Sequence, residues 1–273
     1  MTSFLMRFKK GNMQKSMIEG NTLKLILNFS IPLLLGNLFQ QFYNVVDAAI
    51  VGQTLGSKAL AAVGASSSVQ FLILGFCMGI CQGFAIMVSQ SFGAKKLDEM
   101  HTYIYAGAVW TAVTAFVVSI LVVVFCADIL HILQVNDEIF KDAYAYLVVI
   151  FAGIPFTLLY NYLSAILRAI GDSKTPFFFL AFSAFLNIGL DFFCILVLKW
   201  GCAGAAIATI FAQAVSGILC LLLIAFKVNV LHIPKSSRYV DKQHSLKLLA
   251  MGVPMGLQFS ITARHWLNGH AVG

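Results

Sequence analysis

A chain of 273 residues with 60% hydrophobic and only 11% charged side chains, at a mean hydropathy of +0.88, cannot coat a soluble globule, which carries about 25% charged residues. The formal charge of +7 does not indicate nucleic acid, because Lys and Arg gather at the ends of apolar runs and are not interleaved with stacking aromatics. These figures exclude a soluble enzyme and a nucleic-acid partner, and imply that lipid solvates much of the surface.

In chain order, the basic stretch 1–24 has no apolar core followed by a small-residue cleavage site, so it is expected to stay as a cytoplasmic N-terminal segment. Apolar runs follow at 25–51, 59–88, 103–127, 143–163, 177–198 and 203–226, each matching the roughly 20 residues that a spanning helix needs. The expected organisation is a six-helix lobe over 25–226, a cytoplasmic connection over 227–247, and a partial seventh helix with an atypical tail over 248–273. Residues 246–263 supply about 18 positions before Arg264, including Gly252, Pro254 and Gly256. Such a segment is a marginal span, expected to lie at the interface or insert poorly.

Short basic loops stay in the cytoplasm, so the distribution of Lys and Arg sets the orientation. One side collects Arg7, Lys9, Lys10, Lys15, Lys24, Lys95, Lys96, Arg168, Lys174, Lys227, Lys235, Arg238, Lys242 and Lys247; the other has Lys58, Lys141 and Lys199. The N-terminus is expected inside, in a plasma (inner) membrane, with Asp128, Asp137, Glu138 and Asp142 outside. Ile31-Pro32, leading to Gly36 and Gln40, is echoed by Val253-Pro254, leading to Gly256 and Gln258. Six spans separate the copies, which predicts parallel repeats and a full architecture of roughly twelve spans.

The span interiors hold no Lys or Arg but do hold Asp47 in the first and Asp191 in the fifth. A charge at the bilayer centre costs about 2.5–3.5 kcal/mol on insertion scales, so each needs a cavity or a partner. Both spans run outward and both aspartates fall in the outer half, so they can share one site. Gln40, Tyr43 and Asn44 share a helix face with Asp47; Asn187 stands one turn before Asp191; Thr209 lies at a comparable depth in the sixth span. Carboxylate, amide and hydroxyl oxygens suit a hard cation such as Na⁺. Two nearby carboxyls in a poorly solvated cavity equally suit proton carriage. The competing readings are an interfacial Asp47 near the outer headgroups and a Thr209 that bonds back to its own helix.

Gly75, Gly79 and Gly83 form a small-residue stripe that predicts close helix packing. Pro32 and Pro155 are candidate bends. Cys77, Cys81, Cys126, Cys194, Cys202 and Cys220 lack zinc or disulfide spacing and read as small packing residues. No metalloprotease or serine-elbow motif occurs, so no catalytic residue or cofactor is expected. His101, His131, His232 and His244 fall at segment edges, where exposure to solvent is the expectation.

Several stretches resemble the multidrug and toxic compound extrusion (MATE) transporters. These are Ile31-Pro32 through Gln40-Gln41-Phe42-Tyr43-Asn44-Val45-Val46-Asp47, then Val51-Gly52, and Ala59-Leu60-Ala61-Ala62-Val63-Gly64. Ser89-Gln90-Ser91-Phe92-Gly93-Ala94 and the run from Leu167-Arg168 through Gly171-Asp172 to Thr175-Pro176 complete the set. The resemblance covers about residues 20–262, the family's N-terminal lobe and the start of its seventh helix. It implies an all-α membrane protein, half of a twelve-helix antiporter that exports amphipathic, often cationic compounds against entering H⁺ or Na⁺. It also implies a cation site on Asp47, Asn187, Asp191 and Thr209, and cavity positions at Gln40 and Tyr43, to which the shared polar face adds Asn44.

After Ser260-Ile261-Thr262 the family pattern would stay apolar, whereas Ala263-Arg264-His265 breaks it, so a truncated or frame-shifted reading is expected. The polar face of Gln40, Asn44 and Asp47 would then meet a missing C-terminal lobe or a second copy. A lipid-linked oligosaccharide flippase of the same superfamily is the alternative, weakened because its pyrophosphate substrate calls for Arg or Lys in the cavity. A non-transporting membrane fragment and a seven-helix receptor are the remaining alternatives, the latter without a sensing domain or a lysine in the last segment.

Overall fold

The computed structural model describes residues 22–270, with side chains described over 23–262. The basic residues of 1–21 and the side chains of Arg264, His265 and His270 therefore lie outside the described residues. The described part is helical throughout. Helix α1 spans Thr22–Leu55, α2 Ser57–Gly93, α3 Leu97–Val124, and the short α4 Cys126–Ile132. Next come α5 Asp137–Ala152, α6 Ile154–Ala169, α7 Lys174–Phe192 and α8 Gly201–Lys227. Two 3₁₀ turns, Asn229–Leu231 and Lys235–Ser237, lead into α9, Lys242–His270.

Helices α1, α2, α3, α7 and α8 are each long and apolar enough to cross a membrane, and α5 with α6, bent by 49° at their junction, passes the same test as a pair and is a sixth candidate span. This is a multi-pass all-α membrane protein. The bend falls at Gly153, with Pro155 inside the first turn of α6, where a missing N–H costs nothing. Pro32, by contrast, sits within an unbroken α1. At the break the buried Ser119 hydroxyl of α3 donates to the Phe151 carbonyl at 2.7 Å, taking up an acceptor near the end of α5.

Two of the stretches that carry the family resemblance are helix punctuation. Lys96 N–H bonds the Ser91 carbonyl and Lys95 N–H that of Phe92, both at 3.0 Å, with Lys95 left-handed at φ 59°; this Schellman closure ends α2. Asp172 then caps α7, accepting from the Thr175 N–H at 3.0 Å and its hydroxyl at 2.6 Å.

The seventh segment becomes helical at Lys242, ahead of the 248 boundary, because Asp241 starts it: its carbonyl accepts from Ser245 N–H at 3.1 Å and its carboxylate holds His244 at 2.6 Å. It packs lengthwise on α2. The partner of the Gly75, Gly79, Gly83 stripe is Gly252 and Gly256. A Cβ on Gly79 would stand 2.6 Å from the Gly256 Cα, and one on Gly83 the same distance from the Gly252 Cα. Only paired glycines allow so close an approach of two helices. Ser260 Oγ adds a bond to the Leu72 carbonyl at 2.9 Å, and Trp110 Nε1 one to Ser245 Oγ at 3.0 Å.

Two histidines also depart from expectation. His101 is partly buried with Nε2 2.8 Å from the Val230 carbonyl, and His244 stacks edge-on to Tyr103, so both fasten the 227–247 connection to the lobe. The six cysteines are all free and buried, as packing residues should be.

A candidate cation site between the first, fifth and sixth spans

Helix α1 leans on α7 through Phe39, whose ring meets Phe177 and Phe185 edge-on at centroid distances of 6.3 and 5.9 Å. That contact aligns the polar face of α1 with the polar turn of α7. On α7, Asn187 and Asp191 share one face, 1% and 0% exposed. Immediately beyond them the helix widens into a π turn over Phe193–Val197, a local distortion frequent at functional sites.

Asn187 is the hub. With its amide oriented to satisfy its surroundings, the nitrogen donates to Asp191 Oδ2 at 2.9 Å and to Tyr43 Oη at 3.3 Å. Its oxygen accepts from the Thr209 N–H at 3.0 Å and the Thr209 hydroxyl at 3.2 Å. The opposite orientation would face this backbone N–H with another donor, so the first is adopted. Tyr43 Oη also lies 3.5 Å from Thr209 Oγ1. Asp47 stands close enough for its charge to act on Asp191.

Two features set the chemistry. The Oδ1 atoms of both Asp47 and Asp191 are buried without a hydrogen-bond partner. Neither aspartate has an ion pair to Lys, Arg or His among the described residues. At about 4 Å and an effective dielectric of 20, two bare carboxylates would repel by roughly 4 kcal/mol. The arrangement therefore accommodates a proton between the carboxyls or a hard cation among carboxylate, amide and hydroxyl oxygens.

The structure thus gathers Tyr43, Asp47, Asn187, Asp191 and Thr209 from three spans. Gln40 and Asn44 stay outside the cluster: Gln40 Nε2 donates to Asn44 Oδ1 at 3.5 Å and Asn44 Nδ2 to Gln41 Oε1 at 3.3 Å, all along α1. Two neighbours were not singled out from sequence. Tyr146 of α5 is buried close enough to feel the charge of both aspartates, and Gln70 of α2 lies near it. Gln70 had a signal, an amide inside an apolar run; Tyr146 had none, because aromatic residues are common in membrane helices.

Fold and site together define a polytopic membrane lobe that converges three spans on a pair of carboxyl groups with no basic side chain paired to them among the described residues. The MatE family profile matches residues 32–193, more than half of the chain, and the chain belongs to this family of MATE transporters. "Probable multidrug resistance protein YpnP" of Bacillus subtilis (strain 168) is 33% identical over 244 residues, covering 89% of this chain and 54% of the relative. "Multidrug export protein MepA" of Staphylococcus haemolyticus (strain JCSC1435) is 23% identical over 237 residues, covering 86% and 52%. A solved structure titled "Outward-facing conformation of a multidrug resistance MATE family transporter of the MOP superfamily" superimposes with a TM-score of 0.82 at 24% identity, covering 88% of this chain and 53% of that one. The chain spans about half the length of these relatives.

Proposed function

We propose that this chain is the ion-binding lobe of a cation-coupled antiporter that exports amphipathic, often cationic, compounds in exchange for H⁺ or Na⁺. The observation that carries the reading is the Asp47–Asp191 pair, buried without a counter-cation and ringed by amide and hydroxyl oxygens. Such a pair gains stability when it takes up a positive charge and loses it when that charge leaves, so occupancy alters how α1 sits against α7 and α8. Gln40 and Asn44, on the open side of α1, are proposed to face the substrate path. A second lobe is needed to complete that path, since alternating access in repeat transporters moves one bundle against another. The names of the relatives support drug export, and the absence of Lys and Arg from the span interiors speaks against a pyrophosphate-bearing lipid cargo.

The test uses a two-lobe chain carrying this lobe, reconstituted into vesicles and assayed for ethidium efflux driven separately by a proton and a sodium gradient. Asp191→Asn, almost isosteric, is expected to abolish gradient-driven efflux while insertion is unaffected. Undiminished efflux by both Asp191→Asn and Asp47→Asn under both gradients would make the site structural. The proposed orientation, cytoplasmic for 227–247, is checked by single-cysteine labelling: Asn136→Cys is expected to react from outside intact cells and Ser236→Cys to stay silent, and the reverse pattern would invert the topology.

A further inference from the structure

The lobe has a second concavity that shares no lining residue with the carboxyl cluster. It is a groove of about 700 Å³ between α3, α6 and α8, walled by Ile104, Ala112 and Phe116, by Phe156 and Tyr162, and by Leu221. Tyr162 offers little to a polar ligand, because its hydroxyl is already committed to the Ile104 carbonyl at 2.7 Å. Phe116, Phe156 and Leu221 are exposed on the outer face of the bundle, so the groove opens where lipid lies.

One end differs from the rest. There the 229–238 connection closes the groove with His232, Ile233 and Arg238. Arg238 Nε donates to the Ile233 carbonyl at 3.2 Å, which holds the guanidinium at the rim, and no carboxylate among the described residues pairs with it. His232 Nε2 stands 2.6 Å from the Ala225 carbonyl, an acceptor, so this nitrogen carries the hydrogen and Nδ1 is the ring's remaining polar atom. The connection 227–247 contains Lys227, Lys235, Arg238, Lys242 and Lys247 against one acid, Asp241, and that carboxylate is taken by His244.

Length supplies the other constraint. From Ile104 to Phe116 the groove follows α3 for about 18 Å at 1.5 Å per residue. That is a little over half of the roughly 30 Å hydrocarbon core, the depth of one leaflet and the reach of one acyl chain. Basic pockets between membrane helices on the cytoplasmic side are suited to anionic lipid headgroups. We propose that this groove binds an anionic phospholipid, its phosphate held by Arg238 and one acyl chain laid along α3 between α6 and α8. Placement in the cytoplasmic leaflet rests on the orientation proposed above; the lipid assignment rests on the groove alone.

The experiment is native mass spectrometry of the full chain in detergent, equilibrated with phosphatidylglycerol or with phosphatidylcholine of the same acyl chains. Phosphatidylglycerol is expected to be retained about tenfold more strongly. The Arg238→Gln variant should weaken its retention roughly five- to tenfold, whereas Lys235→Gln, on the same connection but outside the groove, should stay within about twofold of the parent. Ala112→Trp, which fills the groove from an exposed position of α3, should weaken retention as much as Arg238→Gln, with helix content by circular dichroism unchanged. Equal retention of the two lipids would overturn the proposal. So would an equal effect of Lys235→Gln, which means diffuse surface charge, or indifference to Ala112→Trp, which means that no chain lies in the groove. Displacement of phosphatidylglycerol by ethidium would assign the groove to transported cations instead and overturn it too.

Discussion

Helices α1 and α9 both rest on α2, yet they are held by opposite means. Helix α9 meets α2 backbone to backbone at Gly79–Gly256 and Gly83–Gly252. Helix α1 buries only 6% of its most apolar window and is fixed by a few rings and the carboxyl cluster. A glycine contact has a single depth of approach. A contact built on two carboxyls has at least two, one for each state of charge. On the function proposed above, α9 on α2 would be the rigid element and α1 the element that responds to an ion.

The contrast can be broken most severely at the glycines. Gly83→Leu drives a branched side chain into the backbone of α9 and should cost roughly 3 kcal/mol or more of its docking, seen as protease sensitivity of α9 and a lower midpoint in detergent denaturation. A wild-type midpoint would remove the glycine contact as the anchor. Next comes the ion-responsive side. Spin labels on the exposed positions Val45 of α1 and Phe182 of α7 should report a separation that changes with pH or Na⁺, and Asp191→Asn should freeze it in one value. A separation insensitive to both ions in the parent chain would show α1 to be as fixed as α9.

Smaller effects sharpen the comparison. Phe39→Ala removes both edge-on ring contacts and should loosen α1 by about 1–2 kcal/mol, widening the same distance distribution without abolishing its ion response. Ser260→Ala removes one interhelical bond to the Leu72 carbonyl and should cost about 0.6 kcal/mol, barely shifting the α9 midpoint. If Ser260→Ala proved worse than Gly83→Leu, hydrogen bonding and not close packing would hold α9.

Much of this was legible because membranes impose simple rules. Apolar length located the spans, and helical spacing put Asn187 beside Asp191 and Tyr43 beside Asp47. What spacing cannot convey is which face meets which across the bundle. The stripe at Gly75, Gly79 and Gly83 announced a close contact, and Gly252 with Gly256 repeats its period of four, but nothing in either run names the other as partner. Gln40 and Asn44 share a helix face with Asp47, yet they bond along α1 because their amides reach neighbouring turns before they reach α7. The early start of α9 escaped notice because a polar first turn, Lys242 to Ser245, reads as loop when only hydropathy is followed.

The break at Gly153 has a consequence for how the protein is made. Helices α5 and α6 are 16 residues each, so neither alone is longer than about 24 Å, short of a roughly 30 Å hydrocarbon core. A translocon scanning for one straight rod meets instead two undersized ones with polar backbone between them. The hydroxyl that quiets this junction belongs to Ser119 on α3, which has emerged from the ribosome before it. The α5–α6 pair should therefore enter the bilayer more readily once α3 is already there to offer that hydroxyl.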